Sequence, residues 1–229
     1  MRGALVPHAP LLLPEVTTKT DDLRAIWDGL SRIQVPEDAM VVVLTPHTST
    51  TGVYAANEGS LMGFGLPEVS GKWSAGPVEA LGLPVLEEQL DHGALVPLLS
   101  LGIRGDVLTI GLQEVPDMSV ALDKIRALAG ERDVFVLASA HSSARLTERA
   151  PLPYSFDAVR LESRLITGIE SDCGAAALAA EGLASVGGSC SRTTLEAFGG
   201  LFSGVEGTVL AYGCPFGVGY PVVTAEIDV

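Results

Sequence analysis

Basic side chains are scarce in this chain. Lysine and arginine together number 14, against 28 aspartates and glutamates, and the formal net charge is −14. A protein that binds nucleic acid or an anionic membrane needs a basic surface to neutralise phosphates. Neither partner is therefore expected, and the acidic excess is more typical of a surface that keeps the protein in solution.

Cysteines and long apolar runs are also few. The chain contains three cysteines, which cannot all pair with one another: Cys173, Cys190 and Cys214. The first apolar run is interrupted by Pro7 and His8, so it does not resemble a signal peptide. The longest apolar stretches are far shorter than the roughly 20 residues of a membrane-spanning helix. These features predict a reduced, cytoplasmic protein without a membrane partner.

What the sequence does contain is enough apolar material for a large core. Hydrophobic residues make up 47% and charged residues 18% of 229 residues, which is typical of a compact globular protein. No internal repeat and no proline-rich or serine-rich linker divides the chain. We therefore expect one domain that spans residues 1–229.

Hydrophobic periodicity indicates alternating strands and helices. Strands are predicted at residues 3–6, 40–44, 106–110, 134–138, 208–212 and 218–227, the last one antiparallel or at an edge. Helices are predicted from about Asp21 to Leu30 and at residues 120–128, 157–167, 174–183 and 192–201. Residues 50–66 suggest a strand or hairpin excursion, and residues 76–93 suggest helical pieces that are broken at Pro84.

This alternation predicts an α/β fold, a single-domain sandwich whose mixed, largely parallel central sheet is flanked by helices. Ligands of such sheets bind beyond the carboxyl ends of the strands. His8, His47 and His141 each follow a predicted strand, so they are candidates for a functional site at that edge.

Two of these histidines occur in the same local context. His8 and His47 each follow a proline at the end of an apolar run, in a chain that has only four histidines. A lone histidine in a turn more often makes an ordinary hydrogen bond than a metal bond. Two of them at what we predict to be neighbouring strand ends are half of a metal site, because imidazole is a frequent ligand of transition metals.

Two further candidates are His92 and Cys190. His92 lies in a turn beside Asp91, where a structural role is the simpler interpretation. Cys190 precedes a predicted helix, whose N-terminus would lower the pKa of a thiol and favour metal ligation or redox chemistry. The alternative is that Cys190 is a small buried residue, as most free cysteines are, and we assign Cys173 and Cys214 to the core.

The order of several short motifs resembles that of a known family, the class III extradiol ring-cleavage dioxygenases (LigB-type), a superfamily that also contains Memo-like proteins. The matching stretches are residues 6–12 (Val-Pro-His-Ala-Pro-Leu-Leu), 45–47 (Thr-Pro-His), 91–93 with 96–98, 145–147 (Arg-Leu-Thr), 192–193 with 197–199, and 217–220. The resemblance covers nearly the whole chain and implies the same α/β fold.

The resemblance implies that His8 and His47 are metal ligands. Ring-cleaving members add a glutamate, and the resulting set of two histidines and one carboxylate holds Fe(II) with open positions for a catecholate and O₂. This chain has Cys190 at the corresponding position, as Memo-like members do. The expected cofactor is therefore one divalent metal, Fe(II) by resemblance, with zinc or copper as alternatives because thiolate is a softer ligand.

The resemblance also implies the acid/base groups. His92 matches one of the two catalytic histidines of ring-cleaving members, whereas the second aligns with Ala144, which cannot transfer a proton. His141 lies three residues earlier and would replace that histidine only if its loop turned it inward. Loss of one such group typically lowers the rate by about 10²–10⁴-fold.

The sequence thus predicts an oxidoreductase of the extradiol dioxygenase type, with weak activity on a small catechol-like aromatic substrate. A Memo-like protein that binds a metal or a partner without cleaving rings is the alternative, and a remnant without metal is a third interpretation. Homo-oligomerisation is left open.

Overall fold

The structure is a computed structural model that describes residues 1–17, 21–47, 49–113, 117–188 and 191–228, with Ala80 and Asp117 described by their backbone alone. The strands are β1 (Arg2–Val6), β2 (Met40–Pro46), β3 (Gly52–Tyr54), β4 (Glu58–Leu61), β5 (Leu66–Lys72), β6 (Ser74–Ala75), β7 (Val85–Leu86), β8 (Asp106–Leu112), β9 (Val134–Ser139), β10 (Thr208–Gly213) and β11 (Tyr220–Glu226). The α-helices are α1 (Asp21–Leu30), α2 (His92–Ser100), α3 (Asp117–Glu131), α4 (Phe156–Ile169), α5 (Ala175–Ser185) and α6 (Arg192–Leu201).

A nine-stranded mixed sheet forms the centre of the described chain, with the order β10-β11-β1-β9-β2-β8-β3-β7 and β6 paired to β8. The pairs β1–β9, β9–β2 and β2–β8 are parallel. At one end, β11 pairs antiparallel with both β1 and β10. The predicted α/β class, with its mixed and largely parallel sheet, is confirmed.

Both faces of the sheet are covered, because its central strands are apolar on both sides. In β2, Val42 and Leu44 belong to one hydrophobic core together with residues of α3, α5 and α6. Val41 and Val43 belong to a second core, with residues of α1 and α2. Continuous apolar runs are typical of parallel strands that are buried on both faces.

Most predicted elements occur within a few residues of their expected bounds, and α6 matches its prediction at both ends. The prediction of helical pieces over residues 76–93 is wrong. This stretch contains a short 3-10 helix, Val78–Leu81, followed by β7, and α2 begins only at His92. Gly82 has a positive φ of 58° just after the 3-10 helix, and Pro84 lacks the N–H that a continuing helix would need.

None of the helices in the described ranges is long and apolar enough to cross a membrane.

Candidate functional site

The carboxyl ends of β1, β9 and β2 bring three histidines to one edge of the sheet. Val6 pairs with Ser139, so His8 and His141 each lie two residues beyond a paired position. Leu44 pairs with Ala138, so His47 and His141 each lie three residues beyond one. The three histidines therefore leave adjacent strands at the same level.

The strand order corrects one expectation. His8 and His47 do not follow neighbouring strands, because β9 lies between β1 and β2 and pairs with both. Strands in a sheet are spaced about 4.8 Å apart, so β1 and β2 are separated by about 10 Å. His141, at the end of β9, lies between the two predicted metal ligands.

His8 is at the centre of a cluster of imidazole rings. Its ring centroid is 3.9 Å from that of His141 and 5.5 Å from that of His92, and only 4% of the residue is exposed. Burial first, and then the charges of His141 and His92, hold the pKa of His8 well below its usual value. His8 is therefore neutral at physiological pH, which is the form that binds metals and accepts protons.

A buried serine determines which nitrogen of His8 carries the proton. The Ser139 hydroxyl donates to the carbonyl oxygen of Gly93 and is 2.9 Å from Nδ1 of His8. A hydroxyl has one hydrogen, and here that hydrogen is used by Gly93. Nδ1 of His8 must then be the donor to Ser139, which leaves the Nε2 lone pair for a metal or a proton.

His141 is turned inward, which is the condition under which the sequence predicts a catalytic role for it. Its ring lies against His8 and is 4.9 Å from the ring of Tyr220. Nδ1 is buried and has no hydrogen-bond partner among the described residues. Burial, and then the charge of His92, lower the pKa of His141 to about 4, so this ring is also neutral near pH 7.

His92 is the first residue of α2, and this helix brings its ring to the ring of His8. The helix begins there because the Asp91 side chain accepts a hydrogen bond from the N–H of Ala94 at 3.1 Å, which is the usual N-cap arrangement. Gly93 lets the helix approach β2, since a Cβ at that residue would collide with the hydroxyl of Thr45. His92 is partly exposed, so it can meet a ligand that enters from solvent.

An exposed aromatic ring lies beside His92. Phe64 is 54% exposed, and its ring centroid is 5.2 Å from that of His92 in an edge-on arrangement. This ring therefore offers a surface beside His92 on which an aromatic ligand can stack.

His47 has different neighbours. Its Nδ1 accepts hydrogen bonds from the backbone N–H groups of Ser49 and Thr50 at 3.4 and 3.3 Å. Its Nε2 therefore carries the proton and donates to Glu88 at 2.5 Å. To bind a metal through Nε2, His47 must exchange Glu88 for the ion, and the prediction that His8 and His47 share one metal stays a prediction.

The phenol of Tyr54 is buried beside His47. Tyr54 is 2% exposed, and its ring centroid is 6.1 Å from that of His47. Burial, followed by the charges of Asp91 and Glu88, raises the pKa of Tyr54, so its hydroxyl stays protonated.

The cysteines differ in their surroundings. Cys190 lies outside the described residues, and its predicted metal role stays a prediction. Cys173 is buried, as expected, but Cys214 is exposed, because it follows β10 at the rim of the sheet and not inside it. Within the described ranges, no three side chains of histidine, cysteine, aspartate or glutamate form a set that could hold a metal ion.

Ala144 takes part in two backbone hydrogen bonds. Its N–H donates to Gly188 at 2.8 Å, and its carbonyl accepts from Leu152 at 3.2 Å. The methyl group packs against the core on the α1 side of the sheet, and it carries no group that could move a proton.

Sequence reasoning missed Ser139, Tyr54, Glu88 and Tyr220. Ser139 alone had a visible signal, since it is the one polar residue of an otherwise apolar strand and lies two residues before His141. The other three come together only through the sheet topology, which the sequence pattern does not specify.

Comparison with known proteins supports the fold. No protein-family model matches the chain, and no curated protein matches it. Among solved structures, the crystal structure of an uncharacterized protein from Escherichia coli, JW3007, is similar, with a TM-score of 0.62 and 17% sequence identity over 99% of this chain and 100% of that one. At this identity the likeness establishes a shared α/β fold and nothing about activity.

Proposed function

We propose that this protein is a metal-dependent dioxygenase of the extradiol type, with weak activity on a catechol-like aromatic substrate. The observation that carries the proposal is the cluster in which the buried His8 ring contacts both His141 and His92. Clustered imidazoles at the carboxyl edge of a parallel sheet, of which burial keeps His8 and His141 neutral, are suited to metal binding and proton transfer.

Imidazole nitrogen and thiolate sulfur are donors that suit a transition metal. His8 offers the lone pair of Nε2, because its Nδ1–H is bonded to Ser139. We propose His8, His47 and Cys190 as the residues that would hold the ion, with Fe(II) as the first candidate and zinc or copper as alternatives. When bound, Fe(II) would hold a catecholate and O₂ side by side.

The remaining side chains supply proton transfer and orientation. His92, partly exposed at the start of α2, accepts the proton of a catechol hydroxyl. His141 returns a proton from the inner side of the cleft, but its pKa of about 4 makes it a weak base at pH 7. Phe64 beside His92 offers a stacking surface for an aromatic ring. The low basicity of His141 and the absence of a titratable group at Ala144 are the reasons for expecting slow turnover.

A Memo-like role, metal binding without ring cleavage, is the second candidate. Both ring nitrogens of His47 already have hydrogen-bond partners. A site with fewer side chains free to bind the metal is less suited to hold substrate and O₂ together, and this favours the second candidate. For either function we propose a cytoplasmic location, because three cysteines that cannot all pair are typical of a reducing compartment.

The decisive experiment measures metal content and oxygen uptake separately. Protein purified without a chelator or histidine tag is analysed for iron, zinc and copper, and oxygen uptake is then followed with simple catechols. We expect His8→Ala to lose the metal, whereas His92→Ala should retain it and lose oxygen uptake.

Cysteine variants provide a matched comparison. Cys190→Ser should lose more metal than Cys214→Ser, whose side chain is exposed just after β10. Metal content that is the same in the wild type, His8→Ala and Cys190→Ser would overturn the metal site. Bound metal without any oxygen uptake would instead support the Memo-like alternative.

A further inference from the structure

A second cleft, separate from the histidine cluster, lies between α4 and β10. Its volume is about 320 Å³. Leu146, Val159 and Ile166 form apolar walls, and Glu162, Tyr212 and Cys214 contribute polar atoms. The cleft is large enough for a small organic molecule and mostly apolar, as ligand sites commonly are.

Glu162 is an unusual component of such a wall, because it is a carboxyl group with almost no exposure. Only 3% of the residue is accessible to solvent. The Ser142 hydroxyl donates to Oε1 of Glu162, and Tyr212 lines the same cleft. Gly219 makes room for this arrangement, since a Cβ there would collide with both Ser142 and Glu162.

The other oxygen of Glu162 is not satisfied. Oε2 is buried and has no hydrogen-bond partner among the described residues. Buried polar atoms without partners are rare, and each costs about 1–3 kcal/mol. Glu162 also lines the cleft, so a ligand there that brings a hydrogen-bond donor would supply the missing partner.

The charge of the ligand can also be inferred. A neutral alcohol would satisfy the hydrogen bond but would leave the negative charge of the carboxylate in an apolar wall. An ammonium group supplies both the donor and the opposite charge, and charge-assisted hydrogen bonds are about twice as strong as neutral ones. The net charge of −14 favours a cation as well.

We propose that this cleft binds a small amphiphilic amine, whose ammonium group pairs with Glu162 and whose hydrocarbon chain lies against Leu146, Val159 and Ile166. The last torsion of a glutamate side chain is broad, so a small rotation turns Oε2 toward the cleft that the side chain already lines. The proposal is independent of the histidine cluster and of any dioxygenase activity.

Binding of an ammonium group should depend on pH. Burial raises the pKa of Glu162 to about 7, against the opposing effect of its hydrogen bond with Ser142. The other titratable groups among the described lining residues are Tyr212, whose pKa is raised by burial, and Cys214. Affinity should therefore fall roughly tenfold from pH 8 to pH 6, as Glu162 takes up a proton.

The experiment compares three probes of equal length: hexylammonium, 1-hexanol and hexanoate. Binding is measured by calorimetry at pH 8 and pH 6. Occupancy is measured independently from the rate at which iodoacetamide alkylates Cys214, read by mass spectrometry of the peptide that contains it. We expect hexylammonium to bind best and to slow the alkylation of Cys214.

Variants then separate the carboxylate from the apolar walls. Glu162→Gln should weaken hexylammonium binding about tenfold and leave hexanol binding unchanged. Glu181→Gln, an exposed change on α5, serves as the matched control and should have no effect. Cys214→Phe, at an exposed position on the rim, should exclude all three probes without disturbing the core.

Two results would overturn the proposal. One is equal affinity for hexylammonium and hexanol at pH 8, which would make the cleft merely apolar. The other is unchanged hexylammonium binding in Glu162→Gln protein whose circular dichroism is that of the wild type.

Discussion

Replacing Glu162 with glutamine is expected to change how the stability of the fold depends on pH. In the folded protein, burial raises the pKa of Glu162 from its usual 4.5 to about 7. Between these values the folded state holds a proton that the unfolded state has released. The free energy of unfolding therefore falls as the pH rises through this window, and the deficit is constant above pH 7.

The size of the effect follows from the width of the window. Each unit of pKa corresponds to about 1.36 kcal/mol, so ionising Glu162 in the folded protein costs about 3 kcal/mol at pH 8. The residue is 3% exposed, so solvent screening removes little of this. The glutamine variant does not titrate. Its amide still has to occupy the place of the unpartnered Oε2, and this adds a penalty that does not change with pH.

The quantity to measure is therefore the difference between the two proteins as a function of pH. Urea unfolding followed by circular dichroism at pH 5, 6, 7 and 8 gives the free energy of unfolding of each. Relative to the wild type, Glu162→Gln should gain most of about 3 kcal/mol between pH 5 and pH 8. Glu181→Gln, exposed on the neighbouring helix, should show no such trend. A difference between wild type and Glu162→Gln that is the same at all four pH values would refute the reasoning.

Three further predictions concern individual groups. Ser139→Ala should remove the acceptor for Nδ1–H of His8, so ¹⁵N spectra of the four histidine rings should show His8 changing from one tautomer to a mixture, with a loss of stability of about 1–3 kcal/mol. The ring of His141 should titrate near pH 4, and His92→Ala should raise that midpoint because the charge of His92 lowers it. Phe216→Gly should raise the melting temperature, because Phe216 has a φ of 58° and a left-handed conformation costs a residue with a side chain about 1–2 kcal/mol.

Each of these has a control. Ser185→Ala removes an exposed hydroxyl on α5 and should leave the His8 spectrum unchanged. A His141 midpoint near the usual 6.5 would mean that the ring is solvated and not buried against His8. Phe156→Gly also replaces an exposed phenylalanine, but at the start of α4, and should lower the melting temperature. The backbone argument would be wrong if Phe216→Gly lowered it equally.

The elements of the fold are largely predictable because their signals are local. The apolar run that begins at Met40 marks a strand buried on both faces, and the spacing of Leu23, Ile26 and Leu30 marks the inner side of α1. The structure of residues 76–93 is harder to predict, because Gly82 and Pro84 are compatible with several chain paths. In this stretch the neighbouring strands determine which secondary structure forms. Short strands such as β7 are stabilised by pairing and not by their own sequence.

The candidate site is less predictable, because it depends on which strands are neighbours. The sequence indicates that His8, His47 and His141 all follow strands, but not that β9 lies between β1 and β2. Contact between His8 and His141 follows from that order and from the register of Val6 with Ser139. The tautomer of His8 depends in turn on Ser139 and on the carbonyl of Gly93, which arrives from α2.

The place of β9 in the sheet also has a consequence for how the protein is made. Ser139 and His8, which share a hydrogen bond, are 131 residues apart in the chain, so β1 and β2 leave the ribosome long before the strand that joins them. Contacts between residues so far apart form late and slowly, and a domain generally folds as a unit. A nascent chain that ends before β9 has two strands without their common partner, and such unpaired edges invite aggregation. We expect the contact between His8 and His141 to form only after β9 has been synthesised.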